Sequence, residues 1–463
     1  MTRRCVDGLR VRCRQFWLVV ALTFAPTALS AAEAPSLRPA KPDPVLIVSI
    51  DGLSWQRLQK DRARLPELSR LLHTGTAAPL QTVFPSMTWP AHASLATGVW
   101  PARHGVIGNR FFDRARGEVV EFWTRDANDL GPQRPGREPA RALWDVAREA
   151  GLSTGAMLWP ATSRARNLDW NLPEVYGLAA FRRSASPGLL AELAAAGLPV
   201  GRLERHSREE AFLLDSWLRD ATVYVIARHK PSLLLAHFVA HDTLAHRYGP
   251  DSAEAGWGLE LADRYLGDLV RAYQGAAVRV LVVSDHGFCA ITTGMAPEAT
   301  LRKARLSRKE RAAVRLVHNG HALFVYLTDS KLAAQLAPKV QAVLRAQPEI
   351  EKIILPKDFA ALGLALPADD AHMPDFIALA HKHVAFWRGT TGGAQPPLAG
   401  THGYLPELPE MQGVFLAAGP GIARATLAGV RVIDVAPSAA RLLGVAMPGT
   451  DGVALLPAPV ARP

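Results

Sequence analysis

Cysteine is nearly absent. The chain has 3 in 463 residues, and two of them, Cys5 and Cys13, fall in an N-terminal leader. Cys289 then stands alone, so no intramolecular disulfide can form after the leader is removed. That fits export to a bacterial periplasm better than an animal extracellular fluid, and Cys289 reads as a small buried hydrophobe. Long apolar runs are also missing. Beyond residue 32 no stretch reaches membrane-spanning length without a charge or a turn residue. There is no zinc-finger spacing, no lysine tail and no RNA-binding aromatic signature, which argues against nucleic acid as a stable partner. Internal repeats are absent.

The leader itself has a clear pattern. Arg3, Arg4, Arg10, Arg12 and Arg14 precede a short apolar run at 16–26, followed by Ala28-Leu29-Ser30-Ala31-Ala32. This is the n-region, h-region and small-residue cleavage site of a secretory signal, assigned to residues 1–31. The rival reading, an uncleaved anchor, suits the short run less well. The formal net charge is +11, and losing five arginines and Asp7 with the leader lowers it to about +7. Such an excess attracts phosphorylated molecules, but ordinary solubility accounts for it equally.

Residues 32–463 read as a single α/β domain. Val45–Ile50, 233–240, 278–284 and Gly413–Ala418 are nearly continuous apolar runs, the signature of strands covered on both faces. Helical patterns alternate with them, as at 209–229. The expectation is a central, largely parallel sheet flanked by helices, with cap-like insertions at about 112–200 and 290–400. In such layered folds, ligands gather beyond the carboxyl ends of the strands. Asp51, Asp242 and the Asp285-His286 pair each follow an apolar run at that position.

Thr88 precedes a short helical stretch that has Pro90 near its start and no breaker before Gly98. A hydroxyl at a helix N-terminus meets unpaired N–H groups that favour an anion. Taken alone, Thr88 is an N-cap. The surrounding side chains change that reading. Asp242 and His246, four apart, can share one metal ion from a single turn, and His402 can complete its site. Asp285 and His286 are adjacent, and Asp51 can join them. Together with the hydroxyl, this set suits a pair of metal ions with a nucleophile. His241 and His92, beside these groups, are expected to be structural.

The segments Ile50-Asp51-Gly52, Phe84-Pro85-Ser86-Met87-Thr88-Trp89-Pro90-Ala91-His92, Pro101 to Asn109, Asp242-Thr243-Leu244-Ala245-His246, Ser284-Asp285-His286-Gly287 and Thr401-His402-Gly403 resemble the type I phosphodiesterase/nucleotide pyrophosphatase branch of the alkaline phosphatase superfamily. The resemblance spans about residues 44–450. It implies an alkaline-phosphatase-like fold and two zinc ions per chain. One zinc would lie on Asp242, His246 and His402, the other on Asp51, Thr88, Asp285 and His286. It further implies in-line attack by Thr88, a phosphothreonine intermediate, and Asn109 as a donor to a substrate oxygen. The implied substrate is a small phosphodiester, nucleotide or nucleotide sugar. Trp159, Phe111 and Phe112 are candidates to stack on a base.

Met157-Leu158-Trp159-Pro160-Ala161-Thr162 resembles the family's tryptophan-proline loop but has Ala161 where a glycine is usual. Monoesterases of the superfamily place cationic donors here; this chain has no lysine in the loop, though Arg164 and Arg166 follow. The alternative functions are therefore a phosphomonoesterase or phosphonate-ester hydrolase with the same threonine, and a periplasmic phosphate-ligand binding protein without turnover. Sulfatase action would need a cysteine or serine in place of Thr88. A lipid headgroup transferase would be expected to carry a membrane anchor. The sequence does not settle the oligomeric state.

Overall fold

The computed structural model describes residues 42–124, 128–130, 140–205, 210–388 and 398–458. The chain divides into residues 1–40 and 41–463. The signal segment expected at residues 1–31 lies outside the described residues.

Val45–Ile50 forms the middle of a nine-stranded sheet. Its residues alternate between two cores, Val45 and Ile47 on one face and Leu46, Val48 and Ile50 on the other. A strand buried on both faces has no polar side to show, which is why the run lacks polar alternation. Leu233–Phe238 and Arg279–Val283 flank it in parallel, in the registers Ile50 to Phe238 and Ser49 to Val283. Thr154–Trp159 and Trp170–Pro173 extend the sheet in parallel on one side. On the other side Gly413–Ala418 runs antiparallel to both Arg279–Val283 and Thr76–Gln81. The sheet is thus mixed, with one main strand reversed in an otherwise parallel set. No described helix is long and apolar enough to cross a membrane.

The tract 112–200, expected as a cap, needs correction. Thr154–Trp159 and Trp170–Pro173 belong to the main sheet, because residues 154–159 are buried throughout and pair with Leu233–Phe238. Within the tract 290–400, a separate antiparallel sheet runs in the order Val314–Asn319, Ala322–Leu327, Phe376–Ala380, Ile350–Ile354. It has its own apolar core, to which Leu336, Val340 and Leu344 of the helix Ser330–Arg345 contribute.

The parallel strands Val45–Ile50, Leu233–Phe238 and Arg279–Val283 end at one edge of the sheet. Their exits deliver Asp51, the helix Ala240–Tyr248 with Asp242 and His246, and Asp285-His286 to a single locus. Thr76–Gln81 exits at the same edge and leads through residues 82–87 to the helix Thr88–Thr97.

Candidate active site

Thr88 is the first residue of a ten-residue helix in which every residue is buried, and Met87 rather than Thr88 occupies the N-cap position. Its hydroxyl is therefore not spent on capping. Oγ1 lies 3.4 Å from His286 Nε2. The anion-binding capacity expected of this helix end is narrower than its sequence suggests. Pro90 has no N–H, and the Trp89 N–H donates to Asn109 Oδ1 at 3.0 Å. With its oxygen engaged, Asn109 is left with its NH2 group to offer, and it lines the cavity beside Thr88.

Asp242 and His246 sit one turn apart on Ala240–Tyr248, with His246 Nε2 3.5 Å from Asp242 Oδ1. His402 Nε2 approaches the same oxygen at 3.7 Å. On the other side, His286 Nε2 is 3.1 Å from Asp285 Oδ2 and 3.5 Å from Asp51 Oδ1. Asp242, His286 and His402 form one group able to hold a cation, and Asp51, Asp285 and His286 form another. His286 thus stands between the two groups that the sequence separates.

Backbone carbonyls fix the tautomers of three imidazoles. Nδ1–H of His246 donates to Gly400 O at 2.9 Å, that of His286 to Gly287 O at 3.1 Å, and that of His402 to Ser86 O at 2.8 Å. A carbonyl only accepts, so each Nδ1 carries the proton and each Nε2 keeps a lone pair facing the carboxylates. Burial holds His286 and His402 well below the usual histidine range, so both are neutral. Burial also pushes Asp51 well above the carboxylate range, reinforced by the charges of Asp242 and Asp285. Asp51 Oδ1 and Asp285 Oδ2 have no hydrogen-bond donor among the described residues. Buried acceptors, clustered carboxylates and converging imidazole lone pairs are the donor set of divalent cations, and the residues fit such ions well.

Glu174 and His237 were not found by sequence reasoning. His237 Nε2 approaches Asp51 Oδ2 at 3.4 Å, and its Nδ1 lies 3.2 Å from Glu174 Oε2. Burial alone would lower the His237 pKa, but its contacts with Asp51 and Glu174 outweigh burial and raise it well above the usual range. The signal was present in the sequence: His237 is the one ionisable group inside an otherwise apolar strand. His92 and His241, expected to be structural, are each tied to a backbone carbonyl. His92 Nδ1–H donates to Thr88 O at 2.9 Å, its Nε2 is 2.9 Å from Ser49 Oγ, and burial lowers it to about 3. His241 Nδ1–H donates to Ala255 O at 2.8 Å, and burial lowers it to about 4. Cys289 is buried and its thiol is pushed up to about 12 by burial, so it is no nucleophile at neutral pH.

A cavity of ≈ 410 Å³ opens onto Asp51, Thr88, Asn109, Asp242, His246 and His402. Its other walls are Trp89, Tyr176, Leu158, Val175, Leu214 and Arg247, among others. The stacking candidates are corrected here. Trp159 is buried edge-on against His92, while Phe111 and Phe112 pack on Phe122 and Tyr326; none of the three reaches the cavity. Trp89 and Tyr176 are the aromatic residues that line it. Arg164 and Arg166 do not line the cavity either; Arg247 does. Ala161 adopts φ +59°, a left-handed conformation that favours glycine, which accounts physically for the residue usual there.

Comparison with known proteins extends these observations. The family member 3 ectonucleotide pyrophosphatase/phosphodiesterase of cattle is 24% identical over 249 residues, 53% of this chain and 25% of the relative. A venom phosphodiesterase of Macrovipera lebetinus is 23% identical over 404 residues, 85% of this chain and 42% of the relative. The chain thus matches less than half the length of either. These relatives correct the bacterial periplasm expected from the sequence, since they come from cattle and a snake, and a third is human. Scarce cysteine does not by itself name a compartment. Two solved structures of murine ectonucleotide pyrophosphatase/phosphodiesterase 5 superpose with TM-scores of 0.66 and 0.67, the second being an inactive variant in complex with AMP. They are 20% and 19% identical, cover 88% and 89% of this chain and 97% of their own, and share its fold. Residues 45–405 match the family described as type I phosphodiesterase/nucleotide pyrophosphatase, and the chain belongs to that family.

Proposed function

We propose that the chain hydrolyses phosphodiester or phosphoanhydride bonds of small molecules, nucleotides or nucleotide sugars among them, with Thr88 as nucleophile. The observation that carries this reading is the Thr88 hydroxyl, uncommitted to capping, 3.4 Å from His286 Nε2 and lining the same cavity as Asp51 and Asp242. Asp242, His246 and His402 would hold one divalent cation, and Asp51, Asp285, His286 and Thr88 a second. Nitrogen and carboxylate donors at this density suit zinc. When bound, the two ions supply positive charge that lowers the pKa of the hydroxyl and offsets charge on the phosphoryl oxygens.

The protein groups divide the remaining work. Thr88 Oγ1 gives its proton to solvent water and forms a bond to phosphorus as the leaving oxygen departs with the electron pair of its broken bond and is reprotonated by solvent. The Asn109 NH2 group donates to a non-bridging oxygen and orients the phosphoryl group for in-line attack. Water then attacks the same phosphorus, the bond to Thr88 breaks with its electron pair on Oγ1, and Oγ1 is reprotonated by the proton that the attacking water loses. His237, 3.2 Å from Glu174 Oε2, presents its Nε2 to Asp51 Oδ2 at 3.4 Å and backs that carboxylate. Trp89 and Tyr176 offer flat faces to a base, and Arg247 supplies a fixed positive charge in the cavity wall.

The test is hydrolysis of an aryl phosphodiester against the matching aryl phosphomonoester by the zinc-loaded protein, with Thr88→Ala in parallel. The diester should be preferred, and the variant should lose at least about 10³-fold in kcat, as removal of a nucleophile does. Arg247 is the feature that favours a monoester dianion. A monoester preference that disappears in Arg247→Ala would overturn the diester reading.

A further inference from the structure

The strand Val314–Asn319 of the second sheet ends in a two-residue turn, Gly320-His321, before Ala322–Leu327 returns. Gly320 has φ +63°, and His321 has no positive φ, the pattern of a II′ hairpin turn. One face of this sheet packs into the same apolar core as the main sheet, through Val317, Phe324 and Ile377, and none of the proposed metal ligands lies on the turn. It nevertheless touches the active site in two places.

The first contact is with the segment that carries Asn109. Asn319 is fully buried, and its side-chain amide faces the backbone of Arg110. Oδ1 accepts from the Arg110 N–H at 3.1 Å, and Nδ2 donates to the Arg110 carbonyl at 3.0 Å. One side chain thus reproduces the paired bonds of a strand neighbour. Flipping the amide would set donor against donor and acceptor against acceptor, so the orientation is dictated by the partners. Gly108, on the other side of Asn109, leaves no room for movement. A Cβ there would meet the Asn319 amide at 2.9 Å. Asn109 is therefore flanked by two residues that both bear on Asn319.

The second contact is with His402. The His321 N–H donates to the His402 carbonyl at 3.0 Å. A Cβ on Gly320 would lie 1.9 Å from that same oxygen, and one on Gly403 would lie 2.4 Å from the Asn319 carbonyl. At the two glycines backbone meets backbone without an intervening side chain, and the buried His321 ring adds its Nδ1, 3.0 Å from the same His402 carbonyl. Such close packing transmits position well, because no rotamer can absorb a shift.

We infer that the Asn319-Gly320-His321 turn is a positioning clamp that sets Asn109 and His402 at a fixed mutual spacing, with Asn319 acting on the phosphoryl group through Asn109. The inference rests on the role given above to Asn109. Asn319 touches no substrate; its effect is indirect, and a structural residue and a positioning residue can be told apart by non-additivity.

The experiment is a double-mutant cycle on the zinc-loaded protein with an aryl phosphodiester: wild type, Asn319→Ala, Asn109→Ala and the double variant. Asn319→Ala should lower kcat about tenfold when Asn109 is present, and less than about twofold when Asn109 is already gone, the signature of coupled residues. Equal losses in both backgrounds would overturn the clamp. Hydrogen exchange of the Arg110 amide is read in the same proteins and does not depend on turnover. It should quicken in Asn319→Ala, and unchanged exchange would also overturn the inference. If Asn319→Ala fails to fold, Gly108→Ala displaces the same amide without deleting it and should show the same non-additivity with Asn109→Ala. A wild type that hydrolyses no phosphoester would sink the proposed function, while the Arg110 exchange rate would still decide whether the turn holds the Asn109 segment.

Discussion

The imidazole rings of His286 and His402 stack face to face, 3.6 Å between centroids and 13° between planes. Charged rings would repel at that distance, and burial keeps both neutral. The stack therefore brings together two lone-pair donors from segments more than a hundred residues apart, and it leaves the carboxylates of Asp51, Asp242 and Asp285 without a cationic histidine among these rings.

Chelation should therefore destabilise the protein. Asp51 is raised well above its usual range, first by burial and then by Asp242 and Asp285. A raised folded pKa contributes stability that is present below the unfolded carboxylate pKa and is lost as pH rises through the folded value. The metal-free protein should thus weaken toward neutral pH, while cation affinity grows as protons leave the ligands. At a thousandfold excess over Kd, zinc should add about 4 kcal/mol. Melting temperatures of zinc-loaded and chelated protein should diverge progressively from pH 5 to pH 8. Coincident melting at pH 8 would rule out the cation site.

Much of this site is legible in the sequence, and the rest is hidden for identifiable reasons. Asp51, Asp242 and Asp285-His286 could be placed because each follows an apolar run, and a parallel sheet sends all such exits to one edge. Trp159 misled because a large aromatic in a strand-to-loop exit looks like a pocket wall, whereas its side chain turns into the core against His92. Tyr176 and Arg247 carry no motif; only tertiary packing brings them to the cavity. Asn319 is the least legible, since its partners are backbone atoms of Arg110, which leave no mark on the sequence.

Tyr176 gives a test of substrate recognition. It is 38% exposed and lines the cavity, so its loss should leave the fold intact. Aromatic stacking on a base is worth about 1–3 kcal/mol. Tyr176→Ala should raise KM for a dinucleotide roughly tenfold, by the same estimate, and leave kcat on a small aryl diester nearly unchanged. An equal KM rise on both substrates would deny Tyr176 a role in recognising a base.

Gly320 and Gly421 form a matched pair for separating backbone strain from collision. Both have positive φ, +63° and +79°. A Cβ on Gly421 meets nothing within 4 Å, whereas one on Gly320 would lie 1.9 Å from the His402 carbonyl. Gly421→Ala should cost about 1 kcal/mol from conformation alone. Gly320→Ala should cost several times more in urea denaturation and should lower zinc stoichiometry, because the displaced carbonyl belongs to a proposed ligand. Equal costs for the two would mean that the turn and His402 are not in close contact.

Asp215 supplies a pH dependence through a group that is not itself a proposed metal ligand. Its carboxylate accepts the N–H groups of Val239 at 3.0 Å and Ala240 at 2.9 Å, fixing the start of the helix that bears Asp242 and His246. Burial raises its pKa to about 7, and the two N–H groups offset only part of that rise. The folded state therefore holds a proton that the unfolded chain releases near pH 4. The stability contributed by that proton is present below pH 4 and is lost as pH rises through about 7. Asp215→Asn cannot titrate, although it sets an NH2 group against one of the two N–H donors and should cost about 1–3 kcal/mol at low pH. Because the wild type weakens with rising pH and the variant does not, this deficit should shrink between pH 5 and pH 8. Urea midpoints measured across that range decide it, and a constant deficit would mean that Asp215 stays ionised throughout, held so by the two backbone donors.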